Sequence, residues 1–107
     1  VAGMLRSFSY AAQTKRGKSL LQAAENREIS EQWLLLWERW VTTAFVQSYL
    51  TEAGRAPFVP GNFKDMQLLL RAFVLDKAFY ELAYELNNRP EWVHIPLKGI
   101  LLLVEDV

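Results

Sequence analysis

The stretch FKDMQLLLRAFVLDKAFYELAYELNN, residues 63–88, decides the fold of this chain. Its apolar side chains recur every three or four residues, which is the spacing of one face of an α-helix. Asn62 precedes the stretch and suits an N-cap, whereas Arg89-Pro90 ends it because the residue before a proline is pushed out of the α region. The pattern predicts a third helix from Phe63 to Asn88 with an apolar stripe at Leu68, Ala72, Leu75, Phe79, Leu82 and Leu86.

A second long helix is predicted upstream, from the N-cap candidate Ser30 to about Glu52. It carries two apolar stripes, which indicate a helix packed on two sides between other helices. Core packing is favoured over a ligand platform for the tryptophans, because large aromatic side chains mostly contribute their area to cores. The first stripe is Trp33, Trp37, Trp40 and Ala44, and the second is Leu34, Val41, Phe45 and Tyr49.

The remaining segments predict shorter helical pieces and loops. Residues 1–13 have helical spacing without a capping residue, and residues 14–19 predict a polar loop followed by one or two helical turns at 20–26. Residues 53–62 form a turn-rich connection, and a short helix begins near Pro96. We predict an all-α fold of three main helices plus a short C-terminal helix, in one helical domain over residues 1–107. Because residue 1 reads as mid-helix, we expect an excerpt from a longer protein.

Composition argues against several classes of function. Twelve basic residues balance twelve acidic ones, so the zero net charge gives no reason to expect nucleic acid or a membrane surface as partner. The chain has no cysteine, which excludes disulfides and thiolate metal sites. His94 is the only histidine, and a structural or surface role is favoured for it. The five scattered glycines form no phosphate-binding loop, so the chain by itself is predicted to be inactive.

One polar constellation lies on the third helix. Lys77, Glu81 and Glu85 follow one another every four residues, so they share a helix face. Tyr84 lies beside this row, and Arg89 stands four residues after Glu85. Carboxylates, an arginine and a tyrosine at one helix end suit a sugar, whose hydroxyls need fixed donors and acceptors. The alternative is a solvated face with i,i+4 ion pairs, each worth roughly 0.2–0.5 kcal/mol.

Two stretches carry a family resemblance. FVLDKAFYELAYELNNRPEWVHIPL, residues 73–97, resembles the C-terminal signature of maltokinases, including those fused behind a trehalose synthase. VAGMLRSFSYAA, residues 1–12, is similar to the segment that follows the metal-binding loop in that family, although VAGMLRSF also suits other kinases of the aminoglycoside-phosphotransferase type. The shared frame is Lys77-Ala78, Tyr80-Glu81, Tyr84-Glu85, Arg89-Pro90, Trp92 and Ile95-Pro96-Leu97.

The resemblance implies a protein-kinase-like fold, with this chain as part of its helical C-terminal lobe. The family transfers the γ-phosphoryl of ATP to the anomeric hydroxyl of maltose, with magnesium, and links glycogen and trehalose metabolism. Its acceptor sugar contacts motif positions that correspond to Glu81 and Arg89. Lys77, Tyr84 and Trp92 are further substrate-binding candidates, for which a scaffold role is the alternative. The family's catalytic and metal-binding aspartates and its nucleotide lobe are expected upstream of Val1, so no catalytic, cofactor or metal residue is assigned here.

The expected function is therefore acceptor-sugar binding within a cytoplasmic maltokinase. A non-catalytic helical interaction module and the helical lobe of another sugar or aminoglycoside kinase are the alternatives. The expected partners are maltose, the rest of the kinase domain and, in a fusion, a trehalose synthase domain. Self-association is expected of the isolated chain if one stripe of the second helix stays uncovered.

Overall fold

The computed structural model describes residues 1–14 and 27–105. Within these ranges the chain is helical and forms no strand, which confirms the all-α prediction. A single turn of 3-10 helix, Pro90–Trp92, precedes the last α-helix. The described residues contain four α-helices, namely α1 (Ala2–Gln13), α2 (Arg27–Ala53), α3 (Phe63–Asn88) and α4 (His94–Glu105).

Helix α3 begins and ends where its sequence predicts. The side-chain oxygen of Asn62 accepts hydrogen bonds from the backbone N–H groups of Lys64 at 2.8 Å and Asp65 at 3.4 Å. These bonds satisfy two of the donors that the first turn of a helix leaves free. At the other end Arg89 leaves the helical conformation ahead of Pro90. Local capping signals therefore fix the helix that carries the candidate site.

Two predicted boundaries are wrong by a few residues. Helix α2 begins at Arg27, so Ser30 lies inside the helix and is not its N-cap. Arginine and glutamate are good helix formers, and Arg27 and Glu28 continue the helix ahead of the serine. Helix α4 begins at His94, which still leaves Pro96 in the first turn where its missing N–H costs nothing. The turns predicted at residues 20–26, and residues 15–19 of the predicted loop, lie outside the described residues.

The connection between α2 and α3 is a turn closed by glycine. Gly54 follows the last residue of α2 with a positive φ of 58°, and its N–H donates to the carbonyl of Leu50 at 3.0 Å. Glycine is the common residue at this position because it has no Cβ to oppose the left-handed conformation. The prediction of a turn-rich segment between the two long helices is confirmed.

Helix α1 lies in the middle of the packing, where it touches α2, α3 and α4. Phe8 of α1 meets Phe45 of α2 edge to face, with ring centroids 5.8 Å apart. Helices α3 and α4 also pack on each other, and the Arg71 guanidinium donates to the backbone carbonyl of Leu103 at 2.6 Å. The arrangement gathers one face of each helix around α1.

The apolar core of the described residues is small. It consists of Leu5, Ala12, Ala78 and Ile95, whereas many larger apolar side chains face outward. The sequence predicts that helix α2 is buried on both stripes, and this is wrong for the tryptophan stripe. The tryptophans of that stripe are 64%, 42% and 72% exposed, in the order Trp33, Trp37 and Trp40. The second stripe is only half-buried at Leu34, Val41 and Phe45, and Tyr49 is exposed.

The apolar stripe predicted for α3 is also largely uncovered. Leu68, Phe79 and Leu86 are exposed, whereas the buried residues of this helix are Ala78, Glu81 and Glu85. Helical periodicity identifies an apolar face, but it does not tell whether the same chain supplies a neighbour for it. None of the described helices is both long enough and apolar enough to cross a bilayer.

Candidate functional site

A buried ion pair joins α1 to the predicted polar row of α3. Arg6 Nε donates to Glu81 Oε1 at 2.6 Å and lies 3.3 Å from Oε2. The two side chains expose only 5% and 10% of their surface. Sequence reasoning placed Glu81 on this row but missed Arg6, whose only local signal is that it is the one charged residue of α1. The solvated-face alternative is wrong for Glu81, because its carboxylate is withdrawn from water.

The ion pair extends into a polar network that reaches a third helix. Arg6 Nη1 donates to Ser9 Oγ at 3.2 Å, and Ser9 Oγ in turn donates to the Glu38 carboxylate of α2. Arg6 Nη2 is buried and has no hydrogen-bond partner among the described residues. Residues of α1, α2 and α3 therefore meet in one chain of polar contacts, which fixes the Arg6 side chain at several points.

A second ion pair closes the C-terminal end of α3. The Arg89 guanidinium makes two hydrogen bonds to Glu85, from Nε to Oε2 at 3.0 Å and from Nη2 to Oε1 at 2.6 Å. This bond to Glu85 raises the pKa of Arg89 above its usual value, although burial acts in the opposite direction. The i,i+4 spacing noted in the sequence therefore forms an ion pair, but Glu85 is only 1% exposed. The Glu85–Arg89 contact is therefore not a fully solvent-exposed ion pair.

Aromatic rings flank the Arg89 guanidinium. Its central carbon lies 4.1 Å from the ring centroid of Trp92 and 5.3 Å from that of Tyr84. Both distances are within the range of cation–π attraction. Trp92 is thereby tied to the site through Arg89. A guanidinium held by a carboxylate and two ring faces has little freedom to turn, so its remaining N–H groups are fixed in direction.

Tyr10 is a site residue that sequence reasoning did not single out. Its ring tilts against Trp92 with centroids 6.2 Å apart, and its hydroxyl is buried with no hydrogen-bond partner among the described residues. Burial raises the pKa of Tyr10 to about 12, and the nearby carboxylates of Glu81 and Glu85 act in the same direction. The phenol therefore stays protonated and keeps both a donor and acceptor capacity.

These groups line a pocket of about 310 Å³ between α1 and α3. The structure brings four of the five predicted substrate-binding residues to this pocket, together with Arg6, Tyr10 and Glu85, whereas Trp92 does not line it. The four are Lys77, Glu81, Tyr84 and Arg89. The ammonium of Lys77 lies 4.7 Å above the ring of Tyr80, another lining residue.

His94, the histidine singled out in the sequence, does not line the pocket. The exposed ring of His94 lies outside it, with Nδ1 3.1 Å from the carbonyl oxygen of Glu91. A larger cleft of about 460 Å³ lies beside the pocket and shares Gly3 and Lys77 with it. Its lining is mostly apolar, so it offers few fixed hydrogen-bonding groups. Among the described residues no three His, Cys, Asp or Glu side chains are grouped to hold a metal ion.

The charges of the pocket are largely compensated from within. Each carboxylate is already paired with an arginine, Glu81 with Arg6 and Glu85 with Arg89. Such a site offers no unpaired carboxylate to a cation. It offers carboxylate oxygens as acceptors, guanidinium N–H groups as donors, and ring faces. This combination suits a neutral ligand with several hydroxyl groups.

No family model matches the chain, and no solved structure matches it at a significant level. The family expectation drawn from the sequence therefore has no support beyond the two stretches at residues 1–12 and 73–97. Both stretches contribute to the pocket, since Arg6 and Tyr10 come from the first, and Glu81 and Arg89 from the second.

Proposed function

We propose that this chain is part of the helical C-terminal lobe of a maltokinase and binds the acceptor maltose there. The observation that carries the proposal is the pocket between α1 and α3, which contains Lys77, Glu81, Tyr84 and Arg89 together. These residues were chosen from the sequence, and a pocket that unites them supports a common ligand.

The chemistry of the pocket supports a neutral saccharide as that ligand. A sugar hydroxyl both donates and accepts, so it can bond to a carboxylate oxygen on one side and a guanidinium N–H on the other. Ring faces such as Tyr84 suit the apolar faces of a pyranose. An aminoglycoside, which carries several positive charges, would meet Lys77 and two arginines in a pocket whose carboxylates are already paired. The excess of positive groups and the lack of an unpaired carboxylate favour maltose over an aminoglycoside as the ligand.

In the proposed reaction the chain binds and orients the acceptor, while the reacting groups lie in another part of the kinase. ATP and magnesium belong to that other part, and no residue of this chain is assigned to them. The reaction needs a supply of ATP, which suits the cytoplasm. The rest of the kinase domain is the proposed partner, joined in fusion proteins by a trehalose synthase domain.

The test is a steady-state phosphorylation assay on the kinase that contains this chain, with Glu81→Gln and Arg89→Lys variants. Both changes keep the side-chain size roughly constant while they remove a charged or two-pronged contact. We expect the KM for maltose to rise at least about tenfold, since a hydrogen bond to a charged group is worth ~1.5–3 kcal/mol. The KM for ATP should stay unchanged.

Exposed residues of α2 provide the matched controls. Glu52→Gln and Arg39→Lys make the same chemical changes at residues that do not line the pocket, and they should leave maltose kinetics unaltered. Circular dichroism of every variant separates lost binding from lost folding. Unaltered maltose kinetics in both pocket variants would exclude the proposed site.

A helical interaction module is the second candidate, and the exposed tryptophan stripe of α2 favours it. Trp40 alone exposes 72% of its surface, which is unusual for a residue of this size. Sedimentation of the isolated chain separates the two candidates when it is combined with a maltose titration. Association through α2 without any response to maltose would favour the interaction module.

A further inference from the structure

Gly99 of α4 lies directly against the guanidinium of Arg6. A Cβ built on Gly99 would meet Arg6 Nη1 at 2.5 Å, Cζ at 2.9 Å and Nη2 at 3.1 Å. Non-bonded carbon and nitrogen atoms do not approach as closely as the first two distances. The space that any other side chain would need at this position is therefore filled by the end of Arg6.

Glycine is an unfavourable residue for the middle of a helix, so its presence in α4 needs a reason. It loses more conformational freedom on folding than alanine does, and α4 continues for six residues beyond it. Gly99 has no positive φ that would require glycine. The close approach of Arg6 supplies the reason.

We propose that Gly99 and Arg6 are positioning residues of the sugar pocket: the missing side chain of Gly99 leaves room for the guanidinium that holds Glu81. The inference rests on the proposed function and extends it to α4, a helix that contributes no residue to the pocket lining. Arg6 bonds directly to two residues, Glu81 of α3 and Ser9 of α1, and Ser9 in turn donates to Glu38 of α2. Gly99 bounds the guanidinium from the side of α4.

The geometry of the ion pair shows how this positioning would reach a ligand. Glu81 Oε1 receives the short bond from Arg6 Nε, whereas Oε2 lies 3.3 Å from the same nitrogen. Oε2 accepts only this longer bond, so it keeps a second lone pair that can accept from a sugar hydroxyl. If the guanidinium moves, the carboxylate must follow it or lose its partner, and either change alters the direction of Oε2.

The decisive variant is Gly99→Ala. The atoms that block the added methyl group belong to the end of a flexible side chain and not to the backbone, so the helix can keep its place while the guanidinium gives way. Alanine is also the better helix former. We expect a folded chain that binds maltose about tenfold more weakly, because a displaced hydrogen bond to a charged group changes affinity by that order.

Gly61→Ala is the matched control, because nothing lies within 4 Å of a Cβ at that position. Maltose dissociation constants are measured by NMR titration of the labelled chain, and the Nε–H resonance of Arg6 reports whether the guanidinium has moved. Arg6→Lys, alone and combined with Gly99→Ala, completes a double-mutant cycle. We expect the added methyl group to cost no further affinity once Arg6 has been replaced.

The outcomes separate this inference from the function on which it rests. Loss of maltose affinity and a shifted Arg6 resonance in Gly99→Ala, both absent in Gly61→Ala, would support the positioning role. Maltose affinity equal to that of the unaltered chain would overturn it while leaving the proposed function intact. A failure of the unaltered chain to bind maltose would overturn the proposed function and the positioning role together. Additive losses in the double variant would overturn the positioning role, because Gly99 would then act independently of Arg6.

Discussion

Replacing Arg6 by methionine tests the buried ion pair that joins α1 to α3. Methionine keeps most of the length and the apolar stem of arginine but removes the charge and every donor. In the Arg6→Met variant the Glu81 carboxylate, whose side chain is only 10% exposed, loses its cationic partner. Ser9 loses a donor at the same time. The remaining contacts of α1 with α2, including the Phe8–Phe45 pair, are untouched.

The expected cost follows from the burial of the pair. Removing one partner of a buried ion pair costs about 3–5 kcal/mol, because the remaining charge is left without compensation. An exposed pair would lose at most ~1 kcal/mol. The free energy of unfolding of a domain of this size is about 5–15 kcal/mol, so the variant should lose a large part of it.

Urea denaturation followed by far-ultraviolet circular dichroism measures this loss. Arg39→Met is the control, since Arg39 is exposed on α2 and the same change there should cost little. The double variant Arg6→Met/Glu81→Met should recover much of the stability, because it removes both charges and leaves none unpaired. A loss below about 1 kcal/mol in Arg6→Met would refute the conclusion that the pair is buried and structurally important.

Three further predictions concern other parts of the chain. The pKa of Tyr10 is about 12 when folded and 10.0 ordinarily, so the unfolded chain releases this proton first and stability should fall as pH rises from 10 to 12. In denaturation experiments at several pH values, the Tyr10→Phe variant should show a smaller fall in stability between pH 10 and 12. A pH profile identical to that of the unaltered chain would contradict the burial of the phenol. Trp33→Gln together with Trp40→Gln should lower self-association of the isolated chain, and an unaltered sedimentation profile would exclude this stripe as the contact. Asn62→Ala should cost about 1 kcal/mol of stability in urea denaturation by removing the cap of α3, whereas no change would mean that solvent replaces the cap at no cost.

The parts of the fold that could be predicted are those with local causes. Asn62 and Pro90 bracket α3 through capping and steric effects that act within a few residues, and the bounds of this helix were predicted correctly. Ser30 carried a similar capping signal, but the helix formers ahead of it extended α2 to Arg27. Local preferences compete at such positions, and the sequence alone does not tell which one wins.

The candidate site was predictable only on the α3 side. The four-residue spacing placed Lys77, Glu81 and Glu85 on one face, and the structure brings that face to the pocket. The partner of Glu81 lies 75 residues away in the sequence, so no spacing rule could identify Arg6. The role of Gly99 could not be predicted either, because only the packing of α4 on α1 brings Gly99 to Arg6.

The exposure of the apolar faces could not be predicted for a different reason. The periodicity of α2 and α3 correctly marked apolar stripes, yet Trp33, Trp40 and Phe79 remain uncovered in the described residues. The spacing of apolar residues along a helix indicates which face prefers an apolar environment, and it does not indicate what provides that environment. These faces are consistent with the proposal that the rest of a kinase domain packs on this chain.

A maltose titration of the uniformly ¹⁵N-labelled chain tests the central claim most directly. Trp92 contacts Arg89 and Tyr10 at the pocket, whereas the indole of Trp40 lies on the exposed stripe of α2. We predict saturable shifts of the Trp92 indole resonance and of the backbone amides near Glu81 and Arg89, with the Trp40 indole unchanged. No shift with maltose at any concentration, or shifts confined to the α2 stripe, would contradict a sugar site between α1 and α3.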